Sequence, residues 1–247
     1  MAVGLAREGA DIIAIAIIAI DIAAPVEASI APSATLENLE ETVRLAENLN
    51  RRIYSAQADV RDYDKPKFAL DQGVAELGRL GIAVANAGLW SYGLAQELTE
   101  EAWQTVIDVD LTGVWHTAKA AIPILKEQGT AGSIILTSNA MGLKASPSLA
   151  HYVAAKHGVV GLMCTLALEL AADNIRVNTV NPTTMNTDLI QNAPTYELFA
   201  PTSQPRTAHE RSSSPGSRPS MPWTSPGSNR RTSRTRSSGS HPTKPAT

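Results

Sequence analysis

Five short apolar runs, separated by amphipathic stretches, fill the first 200 residues, and this alternation admits few folds. The runs are Asp11–Ile20, Ile53–Ala58, Ile82–Asn86, Ser133–Thr137 and Ile175–Val180. The intervening stretches carry helical spacing: Leu36, Leu39, Val43, Ala46 and Leu49 recur at intervals of three and four behind Thr35, a residue suited to cap a helix start. Asp64–Leu77 reads as a second helix. Thr99 opens a third, with Glu100 and Glu101 complementing the dipole of its first turn. Long helices are expected over Leu111–Glu127, despite Pro123, and over Ala150–Ala172. Strands that are apolar throughout and separated by helices are buried on both faces, which predicts an α/β protein with a doubly wound parallel sheet.

The first run is oversized. Ile12 to Ile20 reads Ile-Ile-Ala-Ile-Ala-Ile-Ile-Ala-Ile, nine residues ended by Asp21, whereas an ordinary strand has about five or six. The surplus is expected to bulge, slip register or protrude. It is far short of the roughly 20 apolar residues of a membrane-spanning helix. With no basic-then-apolar leader, the expectation is a cytoplasmic protein with no membrane partner. The single cysteine, Cys164, excludes a disulfide framework and is expected to pack as a small core residue.

The net charge of −3 over 247 residues conceals two unlike pieces. Residues 201–247 hold eight Arg or Lys and one acid, Glu210, and contain no Val, Ile or Leu. Such a segment cannot offset the entropy lost on ordering and is expected to be a disordered Ser/Pro/Arg-rich tail beside a folded domain at 1–200. Its arginines could attract phosphate, but only Trp223 is available to stack on a base and no recognition module accompanies it, so no nucleic-acid partner is expected. His116, His151, His157, His209 and His241 form no ligand-spaced cluster with Cys164 or one another, so no metal site is expected.

Four short segments at strand ends carry the chemistry. Tyr152-Val-Ala-Ala-Lys156 places a phenol and an ammonium on one helix face, where the positive charge favours the phenolate and brings proton exchange toward neutral pH. Asn86-Ala87-Gly88 follows a strand with small residues that let a flat ligand approach the backbone, at the sheet edge where open α/β proteins bind ligands. Ser138-Asn139 ends another strand. Asn181-Pro182-Thr183-Thr184-Met185-Asn186-Thr187 supplies hydroxyls and free backbone groups after a third. Each alone is an ordinary loop or helix; their order and spacing together are specific.

That order resembles the short-chain dehydrogenase/reductase family over roughly residues 2–200. Further matching features are Asp59-Val60, Leu111-Thr-Gly-Val114 and Arg176-Val-Asn178 before Pro182. The long connection Asp21–Arg52 and the wording His151-Tyr152-Val-Ala-Ala-Lys156-His157-Gly158 resemble the mycofactocin-associated, carveol-dehydrogenase-like subset. The resemblance implies a Rossmann-like fold and an NAD-dependent oxidoreductase interconverting a secondary alcohol and a ketone. It implies Tyr152 as general acid/base, and Lys156 as the group that lowers its pKa and holds the nicotinamide ribose. Asp21 would hold the adenosine ribose and disfavour a 2′-phosphate, making the cofactor NAD. Asp59 and Val60 would flank adenine, Asn86, Ala87 and Gly88 would contact ribose, and Pro182, Thr183, Thr184 and Thr187 would hold carboxamide and pyrophosphate. It also implies a homo-oligomer, weakened where the C-terminal segment departs from the family.

Several positions depart from the family pattern. Its substrate-orienting serine falls on Asn139, with Ser138 one place early and, on an extended strand, turned to the opposite face. Asn139 can donate to a carbonyl through its amide. Asp110 stands where the family carries a relay asparagine, and it is expected to salt-bridge Lys156. The family's first strand and glycine-rich turn have no counterpart before Ala2, which is expected to leave two hydrophobic sheet edges unpaired. Resemblance fades after about Phe199, as a shifted reading frame would leave it. These departures favour an alternative: a non-catalytic, truncated or frameshifted remnant of such an enzyme.

Overall fold

The computed structural model describes residues 1–16 and 35–183. Strand β1 (Ile12–Ala16) pairs in parallel with β2 (Ile53–Gln57), Ile12 opposite Ile53 and Ala16 opposite Gln57. Strands β3 (Ile82–Ala85), β4 (Gly132–Thr137) and β5 (Ile175–Val180) form a second parallel sheet in that order. Ile82 lies opposite Ser133 and Gly132 opposite Ile175. Every strand pair is parallel, with helices between the strands, so the fold is the α/β, Rossmann-like class expected from the apolar runs. The surplus Ile17–Ile20 of the first run, the C-terminal part of the Asn181–Thr187 segment, and the expected tail at 201–247 lie outside the described residues.

The expected single sheet is divided. Among the described residues β1 does not pair with β3, and each presents an open edge. Between them runs a cavity of about 1090 Å³, lined in this part by Ile13, Ile15, Leu70, Ala83, Val84 and Ala121. Among the described residues, the two edges anticipated from the family comparison have no strand partner.

One hydrophobic core nevertheless spans the division. Helix α3 (Asp64–Leu77) sends Leu70 and Val74 into a cluster containing Leu125, Ile134, Leu136 and Val159, and Ile13 and Ile15 of β1 pack against the same cluster. Burying a leucine or isoleucine of this kind contributes about 1.5–3 kcal/mol. Helices α1 (Ala2–Arg7) and α2 (Leu36–Glu47) add a smaller cluster of Ala6, Ile12 and Ala46 against β1. Thr35 caps α2 as expected, accepting from the Asn38 amide, while the Asn38 side chain accepts from the Thr35 backbone N–H.

Helix α4 (Glu100–Ile107) begins at Thr99, whose hydroxyl accepts from Ala102 N–H at 3.0 Å. It does not end before the next helix. A π-helical turn, Asp108–Thr112, joins it to α5 (Gly113–Gln128), so the helix expected from Leu111 starts inside a continuous rod. Such turns insert an extra residue and re-aim the side chains around it. Helix α6 (Ala150–Glu169) carries the Tyr-Lys pair. Cys164 of α6 is exposed rather than in the core. The helix is rich in Ala, Val, Leu and Gly all round, so composition alone does not mark its inner face; Cys164 shares the outer one with His157 and Gly161.

Candidate active site

The carboxyl ends of β3, β4 and β5 bring the expected residues to one edge, as parallel strands do when each is followed by a loop. Asn86, Ala87 and Gly88 leave β3. The Asn86 Oδ1 accepts from Thr137 Oγ1 at 3.2 Å, tying this turn to the end of β4. Gly88 is required by a close approach: a Cβ there would stand 2.8 Å from Asp110 Oδ1 and 3.4 Å from Lys156 Nζ.

Tyr152 and Lys156 lie one helical turn apart at the start of α6. They are 8% and 3% exposed, with the ammonium 5.6 Å from the centre of the phenol ring. Lys156 Nζ donates to the Thr137 carbonyl at 3.1 Å and forms an ion pair with Asp110 Oδ1 at 2.8 Å. Asp110 is fully buried at the centre of the π-helical turn, and its other oxygen accepts from Leu89 N–H at 3.2 Å. The expected Asp110–Lys156 salt bridge is therefore present.

This pair alters the titration expected for the phenol. Tyr152 is pushed well above the ordinary tyrosine range, by burial first and then by the negative charge of Asp110. The expected lowering by Lys156 is not realised, because that charge is already paired with a carboxylate. Asp110 is itself raised, chiefly by burial, against the opposing pull of Lys156 and the Leu89 amide.

Ser138 and Asn139 part company as their neighbouring positions predict. The Ser138 hydroxyl is buried and donates to the Lys156 carbonyl at 2.9 Å, so it is spent on holding β4 to α6. The Asn139 Oδ1 accepts from Met141 N–H at 2.9 Å and opens the 3-10 turn Ala140–Gly142. With its oxygen committed, Asn139 offers a ligand its N–H groups. Pro182 lies at the end of β5, its carbonyl accepting from Ala140 N–H at 2.9 Å, and Thr183 is exposed beside it. Asp21, Thr184 and Thr187 lie outside the described residues.

The cavity between the sheets extends to this edge, where Asp59, Val60, Asn86, Ala87 and Gly88 line it. The Asp59 carboxylate is held by the Arg61 guanidinium at 2.5–3.0 Å. Arg61 also contributes most to keeping it below the ordinary carboxylate value against its partial burial. Val60 is buried under Gly113, and its carbonyl lies 2.7 Å from His116 Nδ1. A long ligand with one end at Val60 and the other at Gly88 thus finds a continuous cleft, with Lys156 behind Gly88 and, like Tyr152, outside the residues that line it. Among the described residues no group of three His, Cys, Asp or Glu side chains is arranged to hold a metal ion, and no helix is long and apolar enough to cross a membrane.

Sequence reasoning missed Ser91 and His151 as a pair. The His151 Nε2 lies 2.7 Å from Ser91 Oγ, both residues are buried, and the neighbouring Trp90 meets the Tyr152 ring edge-on at 6.2 Å. Their separation of 60 positions along the chain leaves no local signal.

A parallel α/β fold with a buried Tyr-Lys pair at the carboxyl edge of its strands defines a class of oxidoreductase. Residues 18–197 match the family model described as short chain dehydrogenase, and the chain belongs to that family. It is 52% identical over 202 residues to a putative short-chain type dehydrogenase/reductase of Mycolicibacterium smegmatis, covering 81% of this chain and 71% of that protein. It is 46% identical over 201 residues to (-)-trans-carveol dehydrogenase of Rhodococcus erythropolis, with the same two shares covered. Among solved structures, the carveol dehydrogenase of Mycobacterium avium in complex with NAD superposes with a TM-score of 0.78 at 48% identity, over 82% of this chain and 72% of that one.

Proposed function

We propose that the chain is an NAD-dependent oxidoreductase of secondary alcohols and their ketones, with Tyr152 as its general acid/base. The observation that carries this reading is the Tyr152–Lys156 pair, buried one turn apart, with Lys156 directly behind Gly88, a residue that lines a cleft of about 1090 Å³. The residues present suit NAD: Gly88 opens the backbone above the Lys156 ammonium, and the cleft continues to Val60 and Asp59. NAD, when bound, supplies the hydride acceptor for the carbinol carbon.

The chain's own residues supply the rest. Tyr152 takes the hydroxyl proton as the alcohol is oxidised and returns it when the ketone is reduced. Lys156 would hold the ribose hydroxyls, with Asn86, Ala87 and Gly88 beside the same sugar. Asp59 and Val60 would flank the adenine, while Asp21 would take the far ribose and make the site one for NAD. Pro182, Thr183, Thr184 and Thr187 would hold the carboxamide and pyrophosphate. Asn139 orients the substrate oxygen through its amide N–H, and Ser138 supports Lys156 from behind rather than meeting substrate.

The likeness to carveol dehydrogenases points to a cyclic terpenoid or similar secondary alcohol, in the mycofactocin-associated subset. The reading extends to a catalytic domain at 1–200 with a tail at 201–247, and to a cytoplasmic homo-oligomer. Sedimentation at two concentrations tests the last of these. The decisive experiment follows NADH formation with a panel of cyclic secondary alcohols that includes carveol. Turnover is expected in the parent chain and its loss, by about a thousandfold or more, in Tyr152→Phe.

A second reading is favoured by the Asp110–Lys156 ion pair and the commitment of Ser138: a non-catalytic, truncated or frameshifted remnant with no working cofactor site. It requires that NAD leave the melting temperature unchanged. A rise in melting temperature with NAD, of the size mass action gives for a bound ligand, excludes it.

A further inference from the structure

We propose that Ser91 and His151 form a latch that holds Trp90 against the Tyr152 ring, making His151 a positioning residue for the phenol. The inference rests on the reading of Tyr152 as the acid/base group, and it assigns work to two residues that reading does not use.

The segment that follows Gly88 is pinned to the start of α6 at successive points. Leu89 N–H donates to Asp110, which is ion-paired to Lys156. Ser91 Oγ lies 2.7 Å from His151 Nε2, and Gly93 N–H donates to the Ser148 carbonyl at 2.9 Å. Between these anchors Trp90, 5% exposed, meets Tyr152 at a centroid distance of 6.2 Å and an interplanar angle of 62°. Edge-to-face aromatic contacts of this kind are directional, so a ring held on both sides fixes where the phenol lies. Of the anchors, only the Ser91–His151 contact joins side chains adjacent to both rings: Ser91 follows Trp90 and His151 precedes Tyr152.

The latch operates with a neutral imidazole. His151 is 0% exposed, and its Nδ1 is buried with no hydrogen-bond partner among the described residues. A second proton would place a cation and an unsatisfied N–H in that site, which is costly. Among the described residues nothing around it compensates. The charged groups on the elements packed against α6 are Asp108 and Asp110 of the π-helical turn, Glu100 and Glu101 of α4, Arg176 of β5 and Asp173 after α6; its own helix adds Lys156, His157 and Glu169. Asp110 is engaged with Lys156 and Leu89, Asp108 with Gln104, and Asp173 with Lys126. Burial is the influence that displaces the His151 proton affinity, and it does so downward.

The test uses the full chain with Trp103, Trp115 and Trp223 replaced by Phe, so that Trp90 is the sole emitter. In this background emission is expected to be blue at about pH 8 and to move reversibly to the red below the ordinary histidine range near 6.5, with far-ultraviolet circular dichroism unchanged. Ser91→Ala is expected to be red-shifted at both ends of that range. His151→Gln keeps an N–H at the Nε2 position without titrating, and is expected to stay blue throughout. Emission that is the same in Ser91→Ala and the parent, or an acid transition that persists in His151→Gln, overturns the latch. None of these readouts needs cofactor, so they stand or fall separately from the alcohol assay. Where turnover is measurable, Ser91→Ala is expected to lower kcat for the alcohol about tenfold at nearly constant KM, with His151→Gln close to the parent. A rise in KM at unchanged kcat counts against positioning of the phenol.

Discussion

Asp110 and Lys156 stand 2.8 Å apart with almost no exposed surface, and the consequence falls on their neighbour. A lone ammonium beside a phenol draws out its proton, whereas a paired ammonium does so weakly and leaves burial to dominate. Tyr152 is raised by burial and by the Asp110 charge together, so the phenolate forms only on the alkaline side. Replacing Asp110 by Asn removes the second cause and leaves the first. The alkaline rise in kcat/KM is therefore expected to move toward neutral pH in Asp110→Asn, with about a tenfold gain at fixed pH for each unit moved. Stability follows the same charge. Asp110 has a folded value above 3.8, so the folded state holds a proton that the unfolded chain has already lost. That contribution is complete below 3.8 and is lost as pH climbs through the raised folded value. Melting curves across this window should fall more steeply in the parent than in Asp110→Asn. Parallel slopes would show that burial of Asp110 carries no proton linkage.

The 3-10 turn Ala140–Gly142 is the shortest element of the site and the one that sets its spacing. A Cβ at Gly142 would stand 2.3 Å from Ser138 Oγ and 2.7 Å from the Lys156 carbonyl, so the turn reaches α6 only because no side chain intervenes. Gly142→Ala is expected to push the turn off α6, break the Ser138–Lys156 bond and cost about 1–3 kcal/mol in urea unfolding, as overpacking does. Asn139, which opens the same turn, would shift with it, so substrate binding should weaken alongside. Little of this was legible in the chain. Thr35 and Thr99 announce their helices because a cap is a local device, and the five strands are visible because burial on both faces leaves uninterrupted apolar runs. Tyr152 and Lys156 share a face by helical spacing alone. The π-helical turn is invisible by contrast, since Asp108–Thr112 keeps the apolar pattern of the helices it joins. The exposure of Cys164, the bonding of Ser138 to a backbone carbonyl and the Ser91–His151 pair depend on tertiary contacts between distant segments, which periodicity does not encode.

Two parallel sheets with facing open edges share one core, and this sets how the described part of the molecule responds to stress. Because Ile13 and Ile15 pack on the same cluster as Leu125, Ile134 and Leu136, the sheets lose their packing together and unfolding is expected to be a single transition. The edges are another matter. A strand with unpaired backbone donors and acceptors is a template for another chain, and natural sheets blunt such edges with charge. Neither β1, which reads Ile-Ile-Ala-Ile-Ala, nor β3, which reads Ile-Ala-Val-Ala, carries any. Ile82 opens β3, lines the cavity and is 45% exposed, so it contributes more to stickiness than to the core. Ile82→Lys places a charge on that edge without emptying a packed position. Its melting temperature is expected to stay near that of the parent, while light scattering, rising with concentration in the parent, should rise far less in the variant. If the variant scatters as strongly as the parent at matched concentration and melting temperature, the β3 edge is not where chains meet.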